Sequence, residues 1–125
     1  MDHKDWIKTQ FEKYVRRCYR DVLIHTSFVE TVARKEAEEE NFYCAIKILR
    51  ANNKYDQDRI DEIDELRNKR NKILHELLKD KKLDKNLIDL RIKQMKDLLK
   101  EIYHNSSFIQ RYFKKEYGID TKKFK

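Results

Sequence analysis

In 125 residues there is no proline and a single glycine, and that shortage limits the fold more than any other feature of the chain. Gly and Pro supply the tight turns of hairpins and meanders, so a chain almost without them has few ways to reverse between strands. Long helices joined by polar loops are what remains. Charged residues (42%) outnumber apolar ones (39%), yet one Trp, seven Tyr and six Phe provide the aromatic area of a core and argue against disorder. The length suits one domain built around one core.

Apolar spacing predicts a first helix over about Lys4–Leu23, with Ile7, Phe11, Tyr14, Val15, Cys18 and Val22 inward. Its outer face carries Lys8, Lys13, Arg16, Arg17 and Arg20. His25-Thr26-Ser27 reads as a break, with Ser27 and Glu30 forming a capping box. A second helix then runs from Phe28 to about Arg50, turning Val29, Val32, Ala33, Ala37, Tyr43, Cys44 and Ile48 inward. Its acidic run Glu36–Glu40 is a solvated turn. After a loop at Asn52–Asp56, Asp56 or Asp58 caps a third helix that carries Ile60, Ile63, Leu66, Arg70, Ile73, Leu74, Leu77 and Leu78.

Asp80–Asp84 reads as a polar connection, and Asp84 caps a fourth helix ending near Tyr103. That helix faces inward through Leu87, Ile88, Ile92, Met95, Leu98, Leu99 and Ile102, and His104 meets its terminal carbonyls. Ser106 or Ser107 opens a short fifth helix, Phe108–Tyr117, stopped by Gly118. The expected fold is all-α: an antiparallel bundle of four long helices plus a short C-terminal helix. Residues 1–118 form the domain and 119–125 a mobile basic tail.

The net charge of +7 and a pI near 9.3 point to an anionic partner. Residues 108–125 hold six Lys and Arg against two acids. Within the third helix, residues 54–66 carry six acids against two bases, and 67–82 seven bases against two acids. This gradient matches the helix dipole and also places a basic patch where phosphate could bind. No stretch approaches the uncharged length of a membrane span and no apolar leader opens the chain, so a soluble cytoplasmic protein is expected. Cys18 and Cys44 are expected as reduced core thiols. Asp56, Asp58 and Asp61 do not make a calcium loop, because the positions that require Gly and Glu hold Asp61 and Arg67. Neither metal nor cofactor is expected.

The chemically distinctive stretch is Arg70-Asn71-Lys72-Ile73-Leu74-His75. On a helical wheel centred on Arg70, the apolar residues Ile63, Leu66, Ile73, Leu74 and Leu77 all fall within about 60° of it. Arg67 lies about 60° round, and Asn71 and His75 about 100° and 140° round, along one margin of the stripe. A guanidinium inside an apolar stripe needs an anionic or polar partner, since an unmatched buried charge costs several kcal/mol. Asn71 and His75, four residues apart, are within reach of one another.

This stretch resembles the R-x4-6-H motif of the HEPN superfamily, small all-helical proteins many of which are ribonucleases of toxin-antitoxin, abortive-infection and CRISPR systems. The resemblance spans roughly residues 5 to 117 and implies a HEPN-like fold and a homodimer in which both motifs face one cleft. It further implies metal-independent RNA cleavage that leaves a 2′,3′-cyclic phosphate. Arg70 would hold the scissile phosphate, His75 would transfer protons, Asn71 would orient one of them, and Arg67 would add phosphate affinity. RNA, a second copy of the chain and an antitoxin or other regulatory protein are the implied partners. A Tyr that one toxin branch carries two residues after the motif His is Leu77 here, so the chain departs from that branch. The alternative is a non-catalytic HEPN-like helical module that binds RNA, a nucleotide or a protein partner.

Overall fold

The computed structural model describes residues 2–12, 19–78 and 85–125. Among the described residues six α-helices follow one another: α1 (His3–Glu12), α2 (Tyr19–Ala37), α3 (Phe42–Ala51), α4 (Gln57–Leu78), α5 (Lys85–Asn105) and α6 (Ser107–Tyr117), with a short 3-10 turn at Thr121–Lys123. The chain is all-α, and among the described residues no helix is long and apolar enough to cross a membrane. The expected inward positions Tyr14, Val15 and Cys18, the basic residues Lys13, Arg16 and Arg17, and the Asp80–Asp84 connection lie outside the described residues, as do the Leu77 and Leu78 side chains.

The helix bounds follow local chemistry, and two of them differ from the sequence pattern. His25, Thr26 and Ser27 do not break the chain, for they lie inside α2. Thr26 and Ser27 donate their hydroxyls back to the carbonyls of Val22 and Leu23, at 2.9 and 3.0 Å. Hydroxyls bonded four residues back are satisfied inside a helix and need no cap position, so the expected capping box does not form. The real break falls at Glu38–Asn41. Glu38 takes a left-handed conformation at φ 53°, the Glu39 amide bonds the Arg34 carbonyl at 3.0 Å, and Asn41 caps α3 by accepting from the Cys44 amide. This is a Schellman-type stop with Glu in the position that Gly usually fills.

The break resets the register of α3. Its buried residues are Phe42, Ala45, Ile46 and Leu49, whereas Tyr43 and Ile48, expected inside, are 48% and 45% exposed. Cys44 is likewise an exposed free thiol rather than a core one. A pattern carried unbroken from α2 places these residues on the wrong side, because the intervening turn does not advance by 100° per residue. The other bounds agree more closely. Asp56 accepts from the Asp58 amide at 3.0 Å where α4 begins, and Gly118, at φ 65°, ends α6.

α4 and α5 share the most extensive contact, and α2 touches α3, α4, α5 and α6. Arg91 of α5 donates to the Lys72 carbonyl of α4, so the first half of α5 lies beside the last half of α4. Val29, Ala33, Ile60, Ile63, Leu66, Met95, Leu99, Ile102 and Ile109 are fully enclosed, each worth roughly 1.5–3 kcal/mol relative to exposure where large and aliphatic.

At one end the core becomes aromatic. His25 is almost fully buried, packed edge-on against Phe11, Phe28, Tyr103 and Phe124. Its Nε2–H donates to the Gln10 carbonyl at 2.9 Å, which leaves Nδ1 to accept from the Tyr103 hydroxyl at 2.9 Å. Burial, opposed by that carbonyl and by Asp21, lowers its pKa from 6.5 to about 4. His25 is therefore a neutral core residue that ties α1 to α2 and α5.

The stretch 119–125 is not a mobile tail. Ile119, Thr121 and Phe124 are buried, Thr121 donates its hydroxyl to the Tyr103 carbonyl at 2.6 Å, and Phe124 stacks into the aromatic end. His104 turns away from its own helix end and bonds the Phe124 carbonyl at 2.7 Å. Two apolar residues among four basic and acidic ones were enough to seat the segment, because a ready aromatic pocket awaited them.

Candidate functional site

Arg67 sits at the middle of α4 and Arg70, Asn71 and His75 in its last half, where the buried side of the helix drifts. Ile60, Ile63, Leu66 and Ile73 are enclosed, but Leu74 is 46% exposed. The buried positions recur at intervals shorter than 3.6 residues, so the core-facing stripe winds round the helix and leaves Arg70 at its rim. The Arg70 side chain is 21% exposed, half-buried rather than central.

The guanidinium finds its anion within the same chain. Arg70 Nη1 lies 2.5 Å from Glu30 Oε2 of α2, and its plane lies over the Phe42 ring at 5.6 Å from the centroid. Nε is buried and bonds no described group. Glu30 is thus free of the capping role that the sequence suggests and acts as counter-ion forty positions away. Sequence spacing carries no signal for such a pair. Once α2 is read as one continuous helix, Glu30 lies about one turn from the inward Ala33.

Arg67 is also held. Its Nε and Nη2 donate to Asp64 Oδ1 at 3.2 and 3.1 Å, and Nη2 to Asn68 at 3.1 Å. Its guanidinium lies over the Tyr43 ring at 5.0 Å. Lys69 pairs with Glu65 at 3.2 Å, and Asp64 further meets Arg50, which also pairs with Asp61. The basic half of α4 is therefore largely balanced by carboxylates of α2 and of α4 itself. The Arg70–Glu30 pair is partly buried, each side chain 21% exposed, so it is worth about 1 kcal/mol rather than the near-zero of a fully solvated pair, and a phosphate would meet Arg70 only by exchange with its carboxylate.

Asn71 and His75 face solvent. No hydrogen bond joins them to each other or to a described neighbour, although their spacing permits it. The structure thus brings Arg67 and Arg70 to one ridge, beside Phe42 and Tyr43 at the start of α3, and sets His75 on the adjoining surface with the exposed Leu74 between. Arg70 and His75 of one chain do not converge on a single point. Among the described residues no three His, Cys, Asp or Glu side chains gather as a metal ligand set.

Fold and site together define an all-helical domain with an arginine-histidine ridge on α4. No family model, no curated protein and no solved structure matches the chain.

Proposed function

We propose that this chain is a metal-independent endoribonuclease of HEPN type whose active site is completed between two copies of the chain. The observation that carries the reading is the ridge itself: Asn71, Leu74 and His75 are exposed and consecutive in space beside Arg70. An apolar side chain set among motif polar groups is the surface expected where a second copy lies. RNA brings its own nucleophile, the 2′-hydroxyl, so cleavage needs a proton acceptor, a proton donor and positive charge on the developing phosphorane. An imidazole serves the first two roles near neutral pH, and His75 is accessible for both. Arg70 has five N–H donors; Nη1 is engaged by Glu30, and Nη2 remains for a phosphate oxygen. Arg67 adds phosphate affinity, and Asn71 orients the imidazole or the phosphate. The setting is cytoplasmic, with an antitoxin or other regulatory protein as the controlling partner.

The test is incubation of the purified chain with mixed RNA in EDTA, followed by analysis of the product ends. The parent cleaves and leaves 2′,3′-cyclic phosphate, whereas Arg70→Ala or His75→Ala loses at least about a hundredfold in rate, the scale of a lost acid-base group. Equal activity in parent and variants removes the assignment.

One observation favours the second reading, a non-catalytic helical module. The Arg70–Glu30 pair gives the guanidinium a counter-ion without any phosphate, as a pair that fixes helix packing does. A parent that folds, dimerises and leaves RNA intact would decide for it.

A further inference from the structure

A second basic region lies at the other end of α5, and its charges are arranged differently. A cleft of about 890 Å³ opens between α1, the end of α5 and the C-terminal 3-10 turn, a size within the usual range of ligand sites. Lys8, Lys100, Lys122, Lys123 and Lys125 stand round it, with Asp120 as the one acid. These lysines are exposed, and none makes an ion pair with a described carboxylate. Asp120 is occupied, since its side chain caps the turn by accepting from the Lys122 amide. The base of the cleft is apolar, made by Phe11, Ile119 and Phe124.

The rim is assembled by the fold and is not a run of tail lysines. Lys8 comes from α1 and Lys100 from α5, and the turn that carries Lys122 and Lys123 is pinned on both sides. Thr121 bonds the Tyr103 carbonyl, and the Phe124 carbonyl accepts from His104. Clefts lined by one sign of charge above an apolar base concentrate the field and draw in counter-ions. Five lysines lining the cleft against one acidic side chain call for a ligand with several closely spaced negative charges. Along α5, Arg91, which meets Lys72 of α4, is thirteen residues from His104, or about 20 Å at 1.5 Å per residue. The cleft is therefore distinct from the Arg70 ridge.

We propose that this cleft is a phosphate-binding site, taking the phosphate groups of nucleotides that reach it either in a single RNA strand or free. The proposal does not rest on cleavage at the motif. Its test uses the full chain and a short labelled single-stranded deoxyoligonucleotide, which offers the same phosphates but lacks the 2′-hydroxyl, so binding is read without cleavage. Anisotropy is followed against salt for three proteins: the parent, Lys100→Gln/Lys122→Gln/Lys123→Gln, and the control Lys54→Gln/Lys85→Gln/Lys93→Gln, which loses the same charge away from the cleft.

The cleft variant is expected to lose about tenfold or more in affinity, and its salt dependence to flatten by about 2 in log–log slope, from three contacts at about 0.7 each. The control should stay close to the parent. Competition by ATP at the same lysines identifies free nucleotides as the source of phosphate, and its failure while the strand binds identifies the strand. Equal loss in both variants, no loss in the cleft variant, or no binding of either probe by the parent overturns the proposal. Arg70 and His75 do not line the cleft, so their effect on RNA cleavage is a separate readout.

Discussion

The α4 ridge and the C-terminal cleft are both rich in basic residues, and they hold their charge in opposite ways. On the ridge, Arg67, Lys69 and Arg70 are each matched by a carboxylate of the same chain. Round the cleft, five lysines share one aspartate that is engaged by backbone. A matched arginine is positioned and yields to a phosphate only by exchange. An unmatched lysine is loosely placed and carries its charge to solvent, where it steers anions. Net charge alone, +7 for the chain, distinguishes neither.

The largest stability change that tests this contrast is at Phe124. If the 3-10 segment is a structural wall of the cleft, Phe124→Ala costs about 3–5 kcal/mol, as for a large core side chain, and weakens oligonucleotide binding. Urea unfolding measures it; a cost near zero would return the segment to a loose tail and dissolve the cleft.

Acid should destabilise the cleft end, where His25 is buried. The folded pKa of His25 is lowered from 6.5 to about 4, so between these values the unfolded chain binds more protons than the folded one. Stability therefore falls as pH drops from about 6.5 to about 4 and levels below that. The loss is roughly 3 kcal/mol at about 1.4 kcal/mol per pH unit. Unfolding followed across this range in the parent and in His25→Gln checks it, because the variant lacks the titrating group.

Glu30→Gln converts the ridge toward the state of the cleft by releasing Arg70. We expect a stability cost of about 1 kcal/mol, the net worth of a half-exposed charged hydrogen bond. Affinity for a single strand should rise, with a salt slope steeper by about 0.7. An unchanged slope would mean that Arg70 does not meet phosphate. The smallest effect belongs to the cleft lysines, whose triple replacement by Gln should move stability by no more than about 0.5 kcal/mol, since they make no ion pair with a described residue. A larger loss in thermal unfolding would reveal partners that tie them down.

The chain's chemistry by itself determined a helical fold, because a sequence without Pro and with one Gly has no supply of hairpin turns. It also narrowed the start of α4 to Asp56 or Asp58, and determined the end of α6 at Gly118 and the place of the arginine-histidine stretch on one long helix. Short-range rules suffice there, since caps and left-handed stops act within a few residues. Tertiary structure decided the rest. The continuity of α2 through Thr26 and Ser27 depended on whether their hydroxyls would cap or bond backward, and both outcomes are open to a hydroxyl. Arg70 met Glu30, and Phe124 met His25 and Tyr103, through helices far apart in sequence. Such pairings are settled by packing, which fills the core with whichever distant side chains fit, and no spacing along the chain encodes them.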